Sequence, residues 1–227
     1  VTPDQRNIQG IGMTSARTRE RLAQRLADQG IRSPAVLERI RSVPRHLFVD
    51  EALETRAYED SALPIGLGQT ISQPWIVALM TQALVEQDSG DRALGKVLEV
   101  GTGCGYQTAV LSPLARQVFT IERIGSLQRA ARTRLNQLGF GNIRYRHGDG
   151  MAGWPGQAPF DGIIVTAAPE DIPPALLEQL APGGRLVIPV GPAGQQELVR
   201  VTRGDDGFQR EVLSRVSFVP LLGGTNQ

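Results

Sequence analysis

The stretch Lys96-Val97-Leu98-Glu99-Val100-Gly101-Thr102-Gly103-Cys104-Gly105-Tyr106 constrains this chain more than any other. It reads as a short apolar strand, a turn with glycine at alternate positions, and a helix from Tyr106. A buried parallel strand shows itself as a compact apolar run. Glycines let the backbone N–H groups come close to a ligand where a side chain would block it. A helix N-terminus behind them adds free donors and a partial positive charge. The stretch therefore predicts a nucleotide-type site at the carboxyl end of the first strand of an open α/β sheet.

Spacing narrows the choice. A dinucleotide fingerprint, G-x-G-x-x-G, would need its third glycine where Tyr106 or Thr108 stands. A P-loop needs Lys after its last glycine, and the sole lysine of the chain, Lys96, lies before the turn. What stands here is E-x-G-x-G-x-G, with Glu99 on the strand and Gly101, Gly103 and Gly105 in the turn. This resembles the cofactor loop of S-adenosylmethionine (SAM) dependent methyltransferases. The alternative is an ordinary tight strand-to-helix turn.

The chain on either side agrees with such a sheet. Apolar and polar periods alternate after Lys96. Strands are expected at 96–100, 117–122, 143–147, 160–166 and 185–190, with helices at 106–114, 126–138 and 173–180 between them. Pro113 should break or kink the first of these helices near Ala109–Leu111 or close it early. Segments 197–202 and 208–219 flank Arg203-Gly204-Asp205-Asp206-Gly207, a hairpin signal. The fold class expected is α/β: a doubly wound, mostly parallel sheet of the methyltransferase type with an antiparallel C-terminal hairpin and an N-terminal helical extension. In that extension, residues 1–13 lack periodicity and are expected to be mobile, Ser15 and Ser33-Pro34 look like helix starts, and Gly30 ends the first helix. Ala62–Pro74 reads as a loop hinged by Gly66 and Gly68, followed by a helix from Trp75 with Ser72 or Gln73 at its cap. The expected division is residues 1–90 as extension with an active-site loop and 91–227 as cofactor domain, packed as one unit.

Composition excludes several classes. A net charge of +1 gives no strong pull towards nucleic acid or membrane. The nine arginines of residues 1–45, against four carboxylates, are spread along solvated helical faces. Apolar runs are too short to span a bilayer, and no secretory leader is visible. One cysteine precludes an internal disulfide framework and fits a reducing, cytoplasmic setting. Cys104, His46 and His147 give no metal-ligand spacing, so no metal is expected. His46, beside Pro44 and apolar residues, reads as structural.

Two carboxylates complete a candidate site. Glu122 ends the second strand about 20 residues beyond the glycine turn, where an acid can take both hydroxyls of a ribose. Asp149, between Gly148 and Gly150 after the third strand, is placed to meet an adenine amino group or equally to make the turn.

The segment Leu63-Pro64-Ile65-Gly66-Leu67-Gly68-Gln69-Thr70-Ile71-Ser72-Gln73-Pro74 resembles the signature of protein-L-isoaspartate O-methyltransferases. So do Val97–Tyr106, Gly148-Asp149-Gly150, Phe160–Ala168, Gly183–Gly191 and Phe218-Val219-Pro220-Leu221, in order across residues 15–222. The resemblance implies methyl transfer from SAM to the free α-carboxylate of L-isoaspartyl residues, the damage products of Asn and Asp. It implies Ser72 as the catalytic residue. It implies cofactor contacts from Gln69, Thr70, Ile71, Glu99, Gly101, Gly103, Gly105, Glu122, Asp149 and Gly150. Expected partners are isoaspartyl peptides and proteins, with no nucleic acid and no membrane, and the chain is expected to act as a monomer. An NAD-dependent oxidoreductase would share the sheet and Glu122 but not Tyr106 in the fingerprint. A nucleic-acid methyltransferase would want an aromatic or basic groove, and aromatics make up only 5%. A non-catalytic SAM-binding module would have no reason to keep Gln69–Pro74.

Overall fold

The computed structural model describes residues 10–87, 90–91 and 93–227. The expected mobility of residues 1–13 falls largely outside the described residues, as does part of the expected boundary near residue 90. Within the described part, Gly12–Thr14 forms a single 3-10 turn.

Two amphipathic helices come first. α1 (Ala16–Asp28) buries Leu22, Ala23 and Leu26 along one stripe. α2 (Pro34–Ser42) buries Val36, Leu37 and Ile40, and its Ser33 hydroxyl accepts from the Val36 N–H at 3.2 Å. Short 3-10 turns at Arg45–Phe48 and Glu51–Arg56 lead on. Next is an antiparallel pair, β1 (Leu63–Gly66) and β2 (Gln69–Ile71). A loop was expected there. The structure instead closes a hairpin through Leu67 (φ 53°) and Gly68 (φ 70°), two consecutive positive φ values that match the strand twist.

α3 (Pro74–Val85) is apolar nearly all round, with Ile76, Val77, Met80, Leu84 and Val85 buried. It lies between the N-terminal helices and the sheet, so both of its sides face protein. The strands of that sheet are β3 (Leu94–Val100), β4 (Ala115–Glu122), β5 (Ile143–His147), β6 (Phe160–Val165), β7 (Leu180–Val190), β8 (Gln196–Gly204) and β9 (Gly207–Val216). Their order is β9-β8-β7-β6-β3-β4-β5. β3 to β7 run parallel, and β8 and β9 close the far edge antiparallel. This is the expected doubly wound sheet with its C-terminal hairpin. Successive residues of β3 serve opposite faces, Val97 in the core under α3 and Leu98 and Val100 in a second core with Phe119, Ile163 and Leu186.

Helices α4 (Tyr106–Leu111), α5 (Gly125–Gln137) and α6 (Pro174–Glu178) join the strands. α4 is one and a half turns long and passes into a 3-10 turn at Ser112–Leu114, as Pro113 allows. From β3 the chain goes first to β4 and β5 on one side, then to β6 on the other. A crevice therefore opens at the carboxyl end of β3, where open α/β sheets bind their ligands.

Candidate active site

The glycine turn is tied internally. The N–H groups of Gly101 and Thr102 both donate to the Ile121 carbonyl, at 2.8 and 3.3 Å, and the Gly105 N–H donates to the Thr102 carbonyl at 2.8 Å. The Gly103 N–H donates to Glu122 Oε2 at 2.8 Å. These donors are thus not aimed at a ligand, contrary to expectation; the glycines work by lacking side chains. A Cβ on Gly101 (φ 96°) would stand 2.3 Å from Thr166 Oγ1, and one on Gly150 would stand 2.3 Å from Val100 Cγ1. A turn with the N–H groups of Gly101, Thr102, Gly103 and Gly105 spent, facing a carboxylate, is a poor seat for a pyrophosphate and a good one for a nucleoside carrying a cation.

Glu122, 6% exposed, ends β4 and also accepts from the Ile124 N–H through Oε1 at 2.9 Å. Each of its oxygens keeps a second lone pair for a ligand hydroxyl. Glu99 lies beneath the turn with no exposed surface. Its Oε2 accepts from Thr108 Oγ1 at 2.5 Å and Thr120 Oγ1 at 2.6 Å, while its Oε1 is buried without a partner among the described residues. Thr102 and Thr120 hydroxyls are 2.6 Å apart, which continues the chain of hydroxyls from the turn to Glu99. Burial pushes the Glu99 carboxyl up to about 8, against the opposing pull of the two threonine hydrogen bonds. Asp149 spends Oδ1 on the Met151 N–H and Oδ2 on the Gly224 N–H, both at 2.8 Å, so it makes its own turn and ties down the C-terminal segment.

Ser72 stands between β2 and α3. Gln73, one of the two residues expected there, occupies the cap of α3, but without a side-chain bond; Asp60 Oδ1, from the preceding loop, accepts from the Trp75 N–H at 2.8 Å. No hydrogen bond of the Ser72 hydroxyl is formed among the described residues. The Ser72 carbonyl is held by Arg45 Nη2 at 2.8 Å, and Arg45 Nε donates to the Ala57 carbonyl at 2.8 Å. Arg45 is fully buried, its guanidinium carbon 4.8 Å from the centre of the Tyr106 ring. It thereby links the Ser72 segment to the first residue of α4. His46 Nδ1 lies 2.7 Å from the Tyr58 hydroxyl, buried and away from the crevice.

Two pockets flank Ser72. One, of about 280 Å³, runs over the glycine turn. Gln69, Thr70, Ile71, Ser72, Gly101, Gly103, Glu122 and Gly150 line it; Glu99, Gly105 and Asp149 do not. The second, of about 360 Å³, opens beside Trp75 and the segment Arg215–Val219. Thr70, Ser72, Thr166 and Val219 line both. The Thr166 hydroxyl donates to the carbonyls of Gly101 and Val100, at 2.7 and 3.1 Å, and Thr70 is exposed, which leaves Ser72 as the half-buried uncommitted hydroxyl at the junction. Sequence reasoning missed Arg45, Asp60, Thr166 and the Val219–Leu222 wall. Thr166 and the wall carried a signal, since Phe160–Ala168 and Phe218-Val219-Pro220-Leu221 both resemble segments of the family; Arg45 and Asp60 carried none.

The residues fit SAM. Glu122 offers acceptors for ribose hydroxyls, and Ile71, Ile121 and Leu222 offer apolar walls. Among the described residues no group of three His, Cys, Asp or Glu side chains could hold a metal, and no helix is long and apolar enough to cross a membrane.

Comparison with known proteins gives the following. The family model described as protein-L-isoaspartate(D-aspartate) O-methyltransferase matches residues 17–226. A protein-L-isoaspartate O-methyltransferase of Halorhodospira halophila is 60% identical over 220 residues, covering 97% of this chain and 98% of its own length. One of Pseudomonas fluorescens is 60% identical over 212 residues, covering 93% and 99%. A solved structure named protein-L-isoaspartate O-methyltransferase is 26% identical with a TM-score of 0.78, covering 92% of this chain and 67% of that one. A Plasmodium falciparum protein solved with S-adenosyl-L-homocysteine shares the fold at a TM-score of 0.74 and 24% identity, covering 90% and 98%.

Proposed function

The chain belongs to the protein-L-isoaspartate(D-aspartate) O-methyltransferase family, and from that premise we propose how its site divides the work. The protein transfers a methyl group from SAM to the free α-carboxylate of L-isoaspartyl residues in damaged proteins and peptides. Bound SAM supplies an activated methyl on a sulfonium. Glu122 takes the ribose hydroxyls. Gly101 and Gly150 let their turns pack closely against Thr166 and Val100, and with Gly103 they line the nucleoside pocket that Gln69, Thr70 and Ile71 cover. Glu99, Gly105 and Asp149 act from behind the lining, Glu99 through the threonine hydroxyls and Asp149 by holding the C-terminal wall. The isoaspartyl segment occupies the second pocket.

A carboxylate nucleophile has an ordinary pKa of ~4 and is ionised at neutral pH, so no general base is needed. The residues must instead align carboxylate and methyl and keep water out. Ser72 donates one neutral hydrogen bond to the carboxylate and orients it. A cation there would bind more tightly but damp the nucleophile. What carries this reading is the junction: two pockets meeting at a half-buried hydroxyl that makes no hydrogen bond among the described residues. The same reading has the protein act as a monomer in the cytoplasm, without nucleic acid; the diffuse placement of its arginines supports it.

Replacing Ser72 tests the assignment. Its hydroxyl neither caps α3 nor bonds elsewhere, so Ser72→Ala should leave the melting temperature and SAM affinity nearly intact. Loss of alignment should lower turnover on an isoaspartyl peptide by on the order of 10- to 100-fold. Normal turnover would remove Ser72 from the chemistry.

A further inference from the structure

The second pocket has a charged rim that the methyl transfer itself does not use. Of its lining residues, Arg215 alone is ionisable. Its situation differs from that of the other arginines on β8 and β9. Arg200 pairs with Glu211 at 2.6 Å and Glu86 at 3.6 Å, and Arg210 pairs with Glu197 at 3.5 Å. Arg203 donates to the Leu180 carbonyl at 2.6 Å. Arg215 is exposed and makes no ion pair or side-chain hydrogen bond among the described residues, although Glu197 stands directly opposite it in the strand register. The rim that carries it is firmly held. Gln196 grips the Phe218 backbone on both sides, at 2.5 and 3.1 Å, and Ala168 exchanges 2.8 Å bonds with Val219 and Leu221. A cation that no carboxylate pairs with among the described residues thus stands on a firmly held segment at the mouth of the peptide pocket, while Ser72 and Thr166 line the side it shares with the first pocket.

We propose that Arg215 is a specificity-determining residue that reads a second carboxylate on the substrate, that of an acidic side chain flanking the isoaspartyl residue. This rests on the reading of the second pocket as the peptide site. The reacting carboxylate belongs with Ser72, where a cation would damp it. A carboxylate one or two residues along the chain would meet Arg215 at the rim, where it gains binding without touching the chemistry. Exposed ion pairs are worth little, so the effect is an about two- to five-fold lower KM, reduced at high salt. A peptide's C-terminal carboxylate has the same chemistry, and the test separates the two sources.

The experiment compares isoaspartyl peptides bearing Glu or Gln at each of the two positions on either side, each with a free or amidated C-terminus, in the wild type, Arg215→Ala, Arg215→Lys and Arg215→Glu. The readout is the KM ratio of Gln to Glu peptides within each enzyme. Expected is a ratio above one at one flanking position for wild type and Arg215→Lys, near one for Arg215→Ala, and below one for Arg215→Glu, whatever the C-terminus. A wild-type ratio of one at every position, or a preference that survives in Arg215→Ala, would overturn the proposal. So would a preference that follows the free C-terminus and not the side chain. Failure of the wild type to methylate any of these peptides would instead remove the underlying reading of the pocket.

Discussion

Glu99 combines full burial on β3 with two hydrogen bonds to a single oxygen, and its carboxyl is pushed up to about 8. Between the ordinary value of 4.5 and about 8, the folded protein keeps this proton while the unfolded chain has lost it. Folding then takes up a proton, so stability falls as pH rises through that window and levels off above it. Glu99→Gln keeps a neutral group of the same shape and cannot titrate. Calorimetry from pH 5 to 9 should show the variant gaining stability relative to the wild type across the window, with the largest gain at the alkaline end. Parallel pH profiles would mean that Glu99 is ionised in the folded state. Legibility of the site at this scale followed the range of the contacts. Glu122 stood out because it ends an apolar run at a fixed distance from the turn. Asp149 stayed ambiguous because a ligand carboxylate and a turn carboxylate look alike between two glycines. Arg45 and Asp60 were illegible. Their partners lie 27 and 15 residues away, a separation that no local pattern records.

The β1–β2 hairpin is the element that differs most from its sequence pattern. Pro64, Gly66 and Gly68 read as breakers, which is the usual meaning of such a cluster. They instead serve a short edge ribbon whose turn requires two positive φ angles. Leu67 supplies one of them at φ 53° while 61% exposed. A left-handed conformation costs an L-residue roughly 1–2 kcal/mol, and Asn bears it more easily. Leu67→Asn should therefore raise stability by about 0.5–1 kcal/mol, a rise in melting temperature of about 2 °C for a protein of this size. A melting temperature that falls would show that the leucine side chain holds the hairpin down. Other departures have similar causes. β7 runs from Leu180 to Val190 through Pro182-Gly183-Gly184, a triplet with every mark of a loop. The sheet absorbs it with a register shift, so that Phe160 faces Leu180 but Gly162 faces Arg185. The periodic helices were legible because one face of each is buried, and the parallel strands because their apolar runs are buried on both; the shortness of α4 was one of the outcomes that Pro113 allowed.

On the scale of the whole molecule, the strand order, the glycine turn and the N-terminal extension converge on one place, the carboxyl end of β3. The parallel sheet and its antiparallel hairpin could be read from alternation, and the ordered family motifs extended that reading over almost the entire chain. The meeting of two pockets at Ser72 could not be read, because it depends on how β2, Thr166 and the segment after β9 pack together. That meeting determines what the protein must do to select its substrate. An isoaspartyl linkage runs the chain through the side-chain carboxyl and leaves the α-carboxylate free, displaced by one carbon from the carboxylate of aspartate. The two have similar basicity, so reactivity cannot separate them and geometry must. A misplacement of ~1 Å in the reacting atoms costs on the order of 100-fold in rate. The direct measurement is methyl transfer from labelled SAM to an isoaspartyl peptide and to its aspartyl twin, side by side at equal concentration. The isoaspartyl peptide should be methylated at least about 100-fold faster, with methanol released afterwards as the ester closes to a succinimide. Equal rates on the two peptides would contradict the assignment of this site to isoaspartyl repair.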